Sequence, residues 1–480
     1  MKVPHVLLVN PPSLLEKPDC GQAGGLFLPE NLKITAMNPG LLSIATYLDG
    51  KGVPVTICDL SLSENFNELR EIIANIKPDI IGVSSMSAFD YLEALECLKI
   101  AGEEVPTALR IAGGQHIGML GKDAFQDSPH LQVLAKYEGE IPMDKIVICV
   151  QNRLPLTEIS KIEGVIVREN GNVRENEKIS PFVNLDDIPP LRYELYPNYQ
   201  KFTPFIEESR GCPYGCEYCT SRFINNKRIR YKSPEHFEKE MIRVIELWGT
   251  KPIYAILAAS FGMRVGPTRR IAEILKSGGI QWTTEFRADC QWEEYIDQVY
   301  NSGLTVANVG MESASPEILL RMLKTRNPTQ YLAKMAALIA RIARMPKMAL
   351  RVNVMFYVGE TPKTVRETIS FLVCNIYGID SILYTPVFVT PRSLLYKNFK
   401  NYEKQFGAKL VKSQYWDRRR LHLCQPSKYF SFEEAVYLCN ALEKVFSTPE
   451  GWLASEIYHY RQDVEGLEKT LVDGRYSGVK

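Results

Sequence analysis

Residues 210–222, RGCPYGCEYCTSR, place Cys212, Cys216 and Cys219 within eight positions, set among glycine, proline and two tyrosines. Thiols this close together are candidate metal ligands. A structural zinc site draws four ligands, usually as two close pairs. Here Cys216–Cys219 is the only CxxC spacing, and the nearest plausible fourth ligand is His236, on the helix that follows. Three thiolates can instead hold a [4Fe–4S] cube, which leaves one iron open to coordinate another molecule. Gly211, Pro213 and Gly215 let the loop wrap tightly, so that three sulfurs converge while backbone N–H groups face the sulfides.

The other eight cysteines are scattered, several in apolar patterns such as those around Cys58 and Cys149, and read as core thiols. The chain has 480 residues, 45% of them apolar and 24% charged, which is enough for two or three domains with their own cores. Lys plus Arg is 57 against 56 for Asp plus Glu, so no net field draws the chain to nucleic acid or to an anionic membrane. The apolar run at the N-terminus stops at Asn10, Pro11 and Pro12, too short for a signal peptide or a membrane span. The expected setting is the cytoplasm.

Strand and helix patterns alternate ahead of the cysteines. Residues 3–10 read as a buried strand, and Asn38 (N-cap), Pro39 and a stop at Gly50 or Gly52 frame the first helix. Then come VPVTICDL as strand, 63–77 as helix, DIIGVSSMS as strand, 88–104 as helix, ALRIAGGQH as strand, and LQVLAKYEGE leading into another helix. This order predicts an α/β fold with a doubly wound parallel sheet, whose ligand crevice lies beyond the carboxyl ends of its strands. Residues 162–176 predict a hairpin turning at Asn170–Gly171, and a proline-bearing linker follows. From Phe205 six further strand and helix repeats predict a partial (β/α)6 barrel, with the cysteine loop at the C-terminal end of its first strand. The expected division is 1–180, a linker at 181–200, the barrel at 201–398 and a mostly helical extension at 399–480.

CxxxCxxC with an aromatic residue just before the last cysteine resembles the radical S-adenosylmethionine (SAM) superfamily. The resemblance implies that Cys212, Cys216 and Cys219 bind a [4Fe–4S] cluster. Its open iron chelates SAM and cleaves it reductively to a 5′-deoxyadenosyl radical. It further implies that Glu312 and Ser313, in GMESASPEILLRMLK, address the SAM ribose or amino acid portion, and that Val358 and Gly359 approach the adenine with Tyr218 beside it. Arg287 would pair with the SAM carboxylate. The plainer alternative makes Glu312 and Arg287 an ordinary strand-end ion pair and Tyr218 a loop anchor. Where many relatives carry acids after the second barrel strand, this chain reads Ala258, Ala259, Ser260, Phe261, leaving Ser260 or backbone carbonyls for the SAM amino group.

The first 180 residues resemble the cobalamin-binding domain of the cobalamin-dependent radical SAM class. That resemblance points to Ser84, Ser85, Gly113, Gly114, His116, Glu138 and Gly139 as the crevice for cobalamin, with His116 a hydrogen-bonding partner and not a cobalt ligand. The cobalt-ligating histidine of the DxHxxG pattern is missing, since the chain reads Asp59, Leu60, Ser61, Leu62, Ser63, Glu64. The implied activity is methylation of an unactivated carbon of a small metabolite or natural-product intermediate, with a flavodoxin or ferredoxin as electron donor. Two other readings stand beside it. One is a radical dehydratase, epimerase or rearrangement enzyme whose first domain is scaffold, with Tyr357, Glu360 or Tyr384 handling protons. The other is a cobalamin carrier or sensor whose barrel no longer catalyses.

Overall fold

The computed structural model describes residues 2–13, 15 and 37–446. Strand β1 (Val6–Asn10) sets the pattern of the first half. Val6 and Leu8 bury against Leu42 and Ala45 of helix Pro39–Asp49, while Leu7 and Val9 bury against Leu69, Ile73 and Leu98 on the other face. A strand apolar on both sides needs helices over both faces of its sheet. With β2 (Val55–Asp59), β3 (Ile80–Ser84), β4 (Leu109–Gly113) and β5 (Val133–Ala135) it forms a parallel array in the order β2-β1-β3-β4-β5. The hairpin β6 (Val165–Glu169) and β7 (Asn172–Glu175) extends it antiparallel, and its two turn residues, Asn170 and Gly171, both have positive φ, 50° and 79°.

The order reverses between β1 and β3, where a crevice opens. Asn38 ties this point together: its Oδ1 caps the helix at Leu41 N–H, and its Nδ2 donates to Asn10 Oδ1 (3.1 Å) and Ser84 Oγ (2.9 Å). Two helices begin later than their patterns suggest, at Asn67 and Tyr91. Before the second, the Asp90 carboxylate accepts from Ser85 Oγ and from the N–H groups of Met86 and Ser87, a local turn that competes with helix.

Residues 181–200 are closely packed despite their prolines. Leu185, Ile188, Leu191, Tyr193 and Tyr196 are buried in a core continuous with both halves of the chain, and the Tyr196 hydroxyl accepts from Asn38 N–H.

The second half opens with β8 (Phe205–Glu207), followed by the short pair β9 (Ser209–Arg210) and β10 (Arg230–Tyr231). β11 (Ile253–Leu257), β12 (Gln281–Phe286), β13 (Leu304–Glu312), β14 (Ala349–Phe356) and β15 (Ser381–Pro386) then continue β8 in sequential order, all parallel. β8 and β15 are the edges of this six-stranded sheet, so the barrel is partial. Trp282, Phe286, Ala307, Val309, Leu350 and Val352 face the helices, which turns the alternate register Glu285, Asn308, Arg351 and Ser381 toward the lumen. In the extension, helices Leu394–Phe406, Gln414–Arg418 and Phe432–Phe446 accompany an antiparallel sheet of β16 (Phe388–Val389), β17 (Lys409–Val411) and β18 (His422–Gln425). The remainder of the stretch expected to be helical, 447–480, lies outside the described residues. Among the described residues no helix is long and apolar enough to cross a membrane.

Candidate active site

The cysteine loop leaves the carboxyl end of β9 in a fixed path. Gly211 has φ 94°, and the Arg228 carbonyl oxygen occupies the space that a side chain there would need. Cys219 N–H donates to the Cys216 carbonyl (3.1 Å), and Glu217 N–H donates to that of Met322 (2.9 Å). The Glu217 carboxylate then accepts from Tyr357 Oη (2.7 Å), Tyr402 Oη (2.7 Å) and Asn398 Nδ2 (2.6 Å). Cys216 is buried, and Cys212 and Cys219 are half-buried. Burial pushes the Cys219 thiol up to about 11, against the pull of the Ser221 N–H, and burial likewise raises Cys212. Thiols so held become good ligands when a metal displaces their protons.

Cations surround them. Arg287 Nη1 lies 3.7 Å from Cys216 Sγ, and Lys324, buried and paired with Glu312 at 3.0 Å, exerts a favourable field on the Cys212 and Cys219 thiolates. Three thiols in one short loop beside fixed positive charge suit a thiolate-rich, negatively charged cluster. Among the described residues no three His, Cys, Asp or Glu side chains, the three cysteines included, gather at the spacing of a single metal ion.

A cavity of about 650 Å³ opens beside this loop. Cys212, Cys219, Ala258 and Ala259 form its barrel wall, with Glu285 and Asn308 deeper in the lumen. Opposite stand Ser84, Gly113, Gly114, Glu138 and Gly139 from the strand ends of the first sheet. Gly114 has φ 104°, and a Cβ there would lie 2.5 Å from the Ser85 carbonyl oxygen. The two strand ends therefore touch through bare backbone, leaving a smooth rim against which a flat ligand can lie.

Two residues expected in that crevice lie elsewhere. Ser85 Oγ turns back to Asp90. His116, in the first turn of helix Gln115–Leu120, hydrogen-bonds the Arg419 carbonyl through Nε2 (2.9 Å) and packs edge-on against Tyr91. Burial holds its pKa down to about 4, so it is a neutral donor to the extension and does not line the cavity. The loop after β2 is closed on itself, with Asp59 accepting from Asn10 Nδ2 and from Ser61 N–H and Oγ.

Around the cysteines, Tyr218 packs edge-on against Tyr357 at 6.2 Å. Glu312 ends β13 at φ 71°, an unfavourable left-handed conformation for a non-glycine residue, at a break in strand register. The ordinary ion pair between Glu312 and Arg287 is not formed: Glu312 holds Lys324, and Arg287 holds Asp289. Ser313 is fully buried between Thr368 Oγ1 and Ser315 N–H, and Ser260 donates to Met263 Sδ. The carbonyls of Val358 and Gly359 accept from Arg321 Nη1 (3.3 and 3.2 Å).

The three residues suggested for proton handling do not line the cavity. Tyr357 is bonded to Glu217, and Tyr384 shares the helix-facing register of Val354. Glu360 is buried beside Thr364 Oγ1, and burial raises its pKa from 4.5 to about 7. The folded form thus keeps a proton that the unfolded form releases, and stability from this group is lost as pH rises through that interval. Glu360→Gln should therefore gain on the parent protein by up to about 3 kcal/mol between about pH 4 and pH 8, read from denaturation midpoints. An equal gap at both pH values contradicts this.

Sequence reasoning missed the ion network that joins the halves beside the cavity. Arg210 bonds Glu140 (2.7 Å), Glu207 (2.7 Å) and Ser43 Oγ (2.8 Å), while Arg230 holds Glu138. Burial alone would raise the Glu207 carboxyl, but Arg210 and Lys232 outweigh it and hold it below its usual range. Glu138 thus serves this network while lining the cavity. Glu217, the one acid between the cysteines, was the signal available for the loop clamp.

Comparison with known proteins agrees with this layout. Residues 206–372 match the family model described as the radical SAM superfamily. A protein of Pyrococcus horikoshii described as an uncharacterized methyltransferase, PH0819, is 27% identical over 383 residues, covering 77% of this chain and 78% of its own. The structure of the cobalamin-dependent SAM radical enzyme OxsB with aqua-cobalamin and SAM bound superposes with TM-score 0.72 at 17% identity, over 95% of this chain and 67% of that one. The methyltransferase TsrM from Kitasatospora setae, with tryptophan and aza-SAM bound, gives TM-score 0.72 at 14% identity, over 98% and 99%. The stretch that carries the three-cysteine loop at the head of the six-stranded parallel sheet is thus a radical SAM domain, residues 206–372.

Proposed function

We propose that this protein is a cobalamin-dependent radical SAM methyltransferase acting on an unactivated carbon of a small molecule. The observation that carries the reading is the shared cavity: the glycine rim of the first sheet and two of the three clustered cysteines are walls of one space. A corrin resting on Gly113, Gly114 and Gly139 and a cluster held by Cys212, Cys216 and Cys219 would therefore face the same substrate. OxsB is named for its dependence on cobalamin, and TsrM and the Pyrococcus relative are named as methyltransferases, which supports the reading.

When bound, these groups supply a SAM-derived radical and a transferable methyl. The chain's own part is to hold and shield. Glu217 and its three donors fix the cysteine loop, and the small Ala258 and Ala259 leave room beside it. Ser84, held by Asn38, presents a hydroxyl at the rim, and the Asp59–Ser61 loop keeps its carboxylate and hydroxyl bonded to each other. The inward register of Glu285 and Asn308 sets two polar groups in a mostly apolar wall and favours a substrate with hydrogen-bonding groups there. The dehydration or rearrangement reading finds no support from Tyr357, Glu360 or Tyr384, since none of them borders the cavity.

The test is to supply SAM carrying a labelled methyl group to reconstituted, reduced protein with cobalamin. Label in the re-isolated cobalamin together with 5′-deoxyadenosine is the expected result. Deoxyadenosine with unlabelled cobalamin would instead favour the scaffold reading.

A further inference from the structure

The guanidinium of Arg287 is almost fully committed within the protein. Nε and Nη2 grip the two oxygens of Asp289 (2.8 and 2.9 Å), and Nη2 also donates to the Lys324 carbonyl (2.8 Å). The plane of the group stacks on the Tyr214 ring, 3.6 Å from its centroid, and Tyr214 is itself part of the cysteine loop. The remaining nitrogen, Nη1, points at Cys216 Sγ from 3.7 Å. Arg287 is 6% exposed, so solvent screens this charge little. A residue aimed at the SAM carboxylate would keep its fork free. Here the fork is closed on Asp289, and what is left over meets a sulfur.

We propose that Arg287 is a tuning residue for the cluster, acting through Cys216, and not primarily the partner of the SAM carboxylate. The inference rests on the cluster reading above. Reduction adds one electron, hence one negative charge, to a cluster carrying thiolate ligands. A buried cation and an N–H donor on one of those sulfurs favour the reduced state. Asp289 is then a positioning residue. Its bidentate grip sets the plane of the guanidinium so that Nη1 faces Cys216 while the ring of Tyr214 supports the opposite side.

The experiment is a redox titration of the SAM-free cluster, followed by EPR, in the parent protein, in Arg287→Met and in Arg287→Lys, with iron content measured in each. The inference expects near-parent iron in Arg287→Lys and a lower midpoint potential in both variants. For Arg287→Met the expected drop in the reduced-to-oxidised ratio at fixed ambient potential is about tenfold or more, which for a one-electron couple is about 59 mV. The lysine keeps a charge but has no fork with which to reach the sulfur, so its shift should be smaller. If Arg287→Met does not retain iron, the lysine variant carries the test alone. An unchanged potential in an iron-replete variant overturns the inference, and weakened SAM binding at unchanged potential assigns Arg287 to the carboxylate instead. Absence of any cluster from the parent protein would be a failure of the cluster reading itself and is read separately, from its iron content.

Discussion

Replacing Cys216 with alanine is expected to abolish reductive SAM cleavage, a loss on the order of 10³-fold or more, because the chemistry belongs to the cofactor and two thiolates hold it poorly. Cys216 is the most buried of the three at 7% exposure, so the variant leaves a small cavity and not an exposed flaw. The loop's frame should survive. Its neighbour Glu217 keeps bonds to Tyr357, Tyr402 and Asn398, and the backbone bond from Glu217 N–H to Met322 is untouched. The variant should therefore melt close to the parent apoprotein while iron after reconstitution falls well below about four per chain. Cys212→Ala and Cys219→Ala should behave alike. Full SAM cleavage in any of the three would reject the ligand assignment.

The largest effect on stability is expected at Arg419, which is fully buried. Its guanidinium makes two bonds to Glu93 (2.8 and 2.7 Å) and donates to the carbonyls of Ala88 (3.2 Å) and Phe89 (3.1 Å). Its own carbonyl receives His116. The extension is thereby fastened to the segment after β3 that carries Met86, a cavity wall residue. Arg419→Ala leaves the Glu93 carboxylate buried without its partner, which should cost about 3–5 kcal/mol. Arg419→Met combined with Glu93→Leu removes both charges and should recover much of that loss. Denaturant unfolding of the single and double variants checks this. A single variant within about 1 kcal/mol of the parent contradicts it.

What could be read from the sequence was what local chemistry decides. Asn38 and Pro39 announce a helix start because the cap and the fixed φ act within four residues, and Asn170–Gly171 announces a tight turn because both must accept positive φ. The cysteine loop was legible for the same reason, since its spacing is its mechanism. His116 was not. Its position after a strand end suggested the crevice, but its partner Arg419 is 303 residues away and its direction depends on that contact. The Glu217 clamp likewise spans more than 180 residues to Tyr402. Residues 181–200 read as a linker from their prolines, and their apolar side chains are part of the shared core. Arg287 was placed at the right strand end, but which acceptor closes its fork is a matter of side-chain geometry at Asp289.

The proposed function requires two cofactors to meet across one cavity. The most direct measurement is anaerobic reconstitution with iron, sulfide and hydroxocobalamin, followed by desalting, metal analysis and a visible spectrum. About four irons and about one cobalt should be retained per chain. A full complement of iron with no retained cobalt would contradict the proposal and leave the first sheet as scaffold for a radical enzyme of another kind.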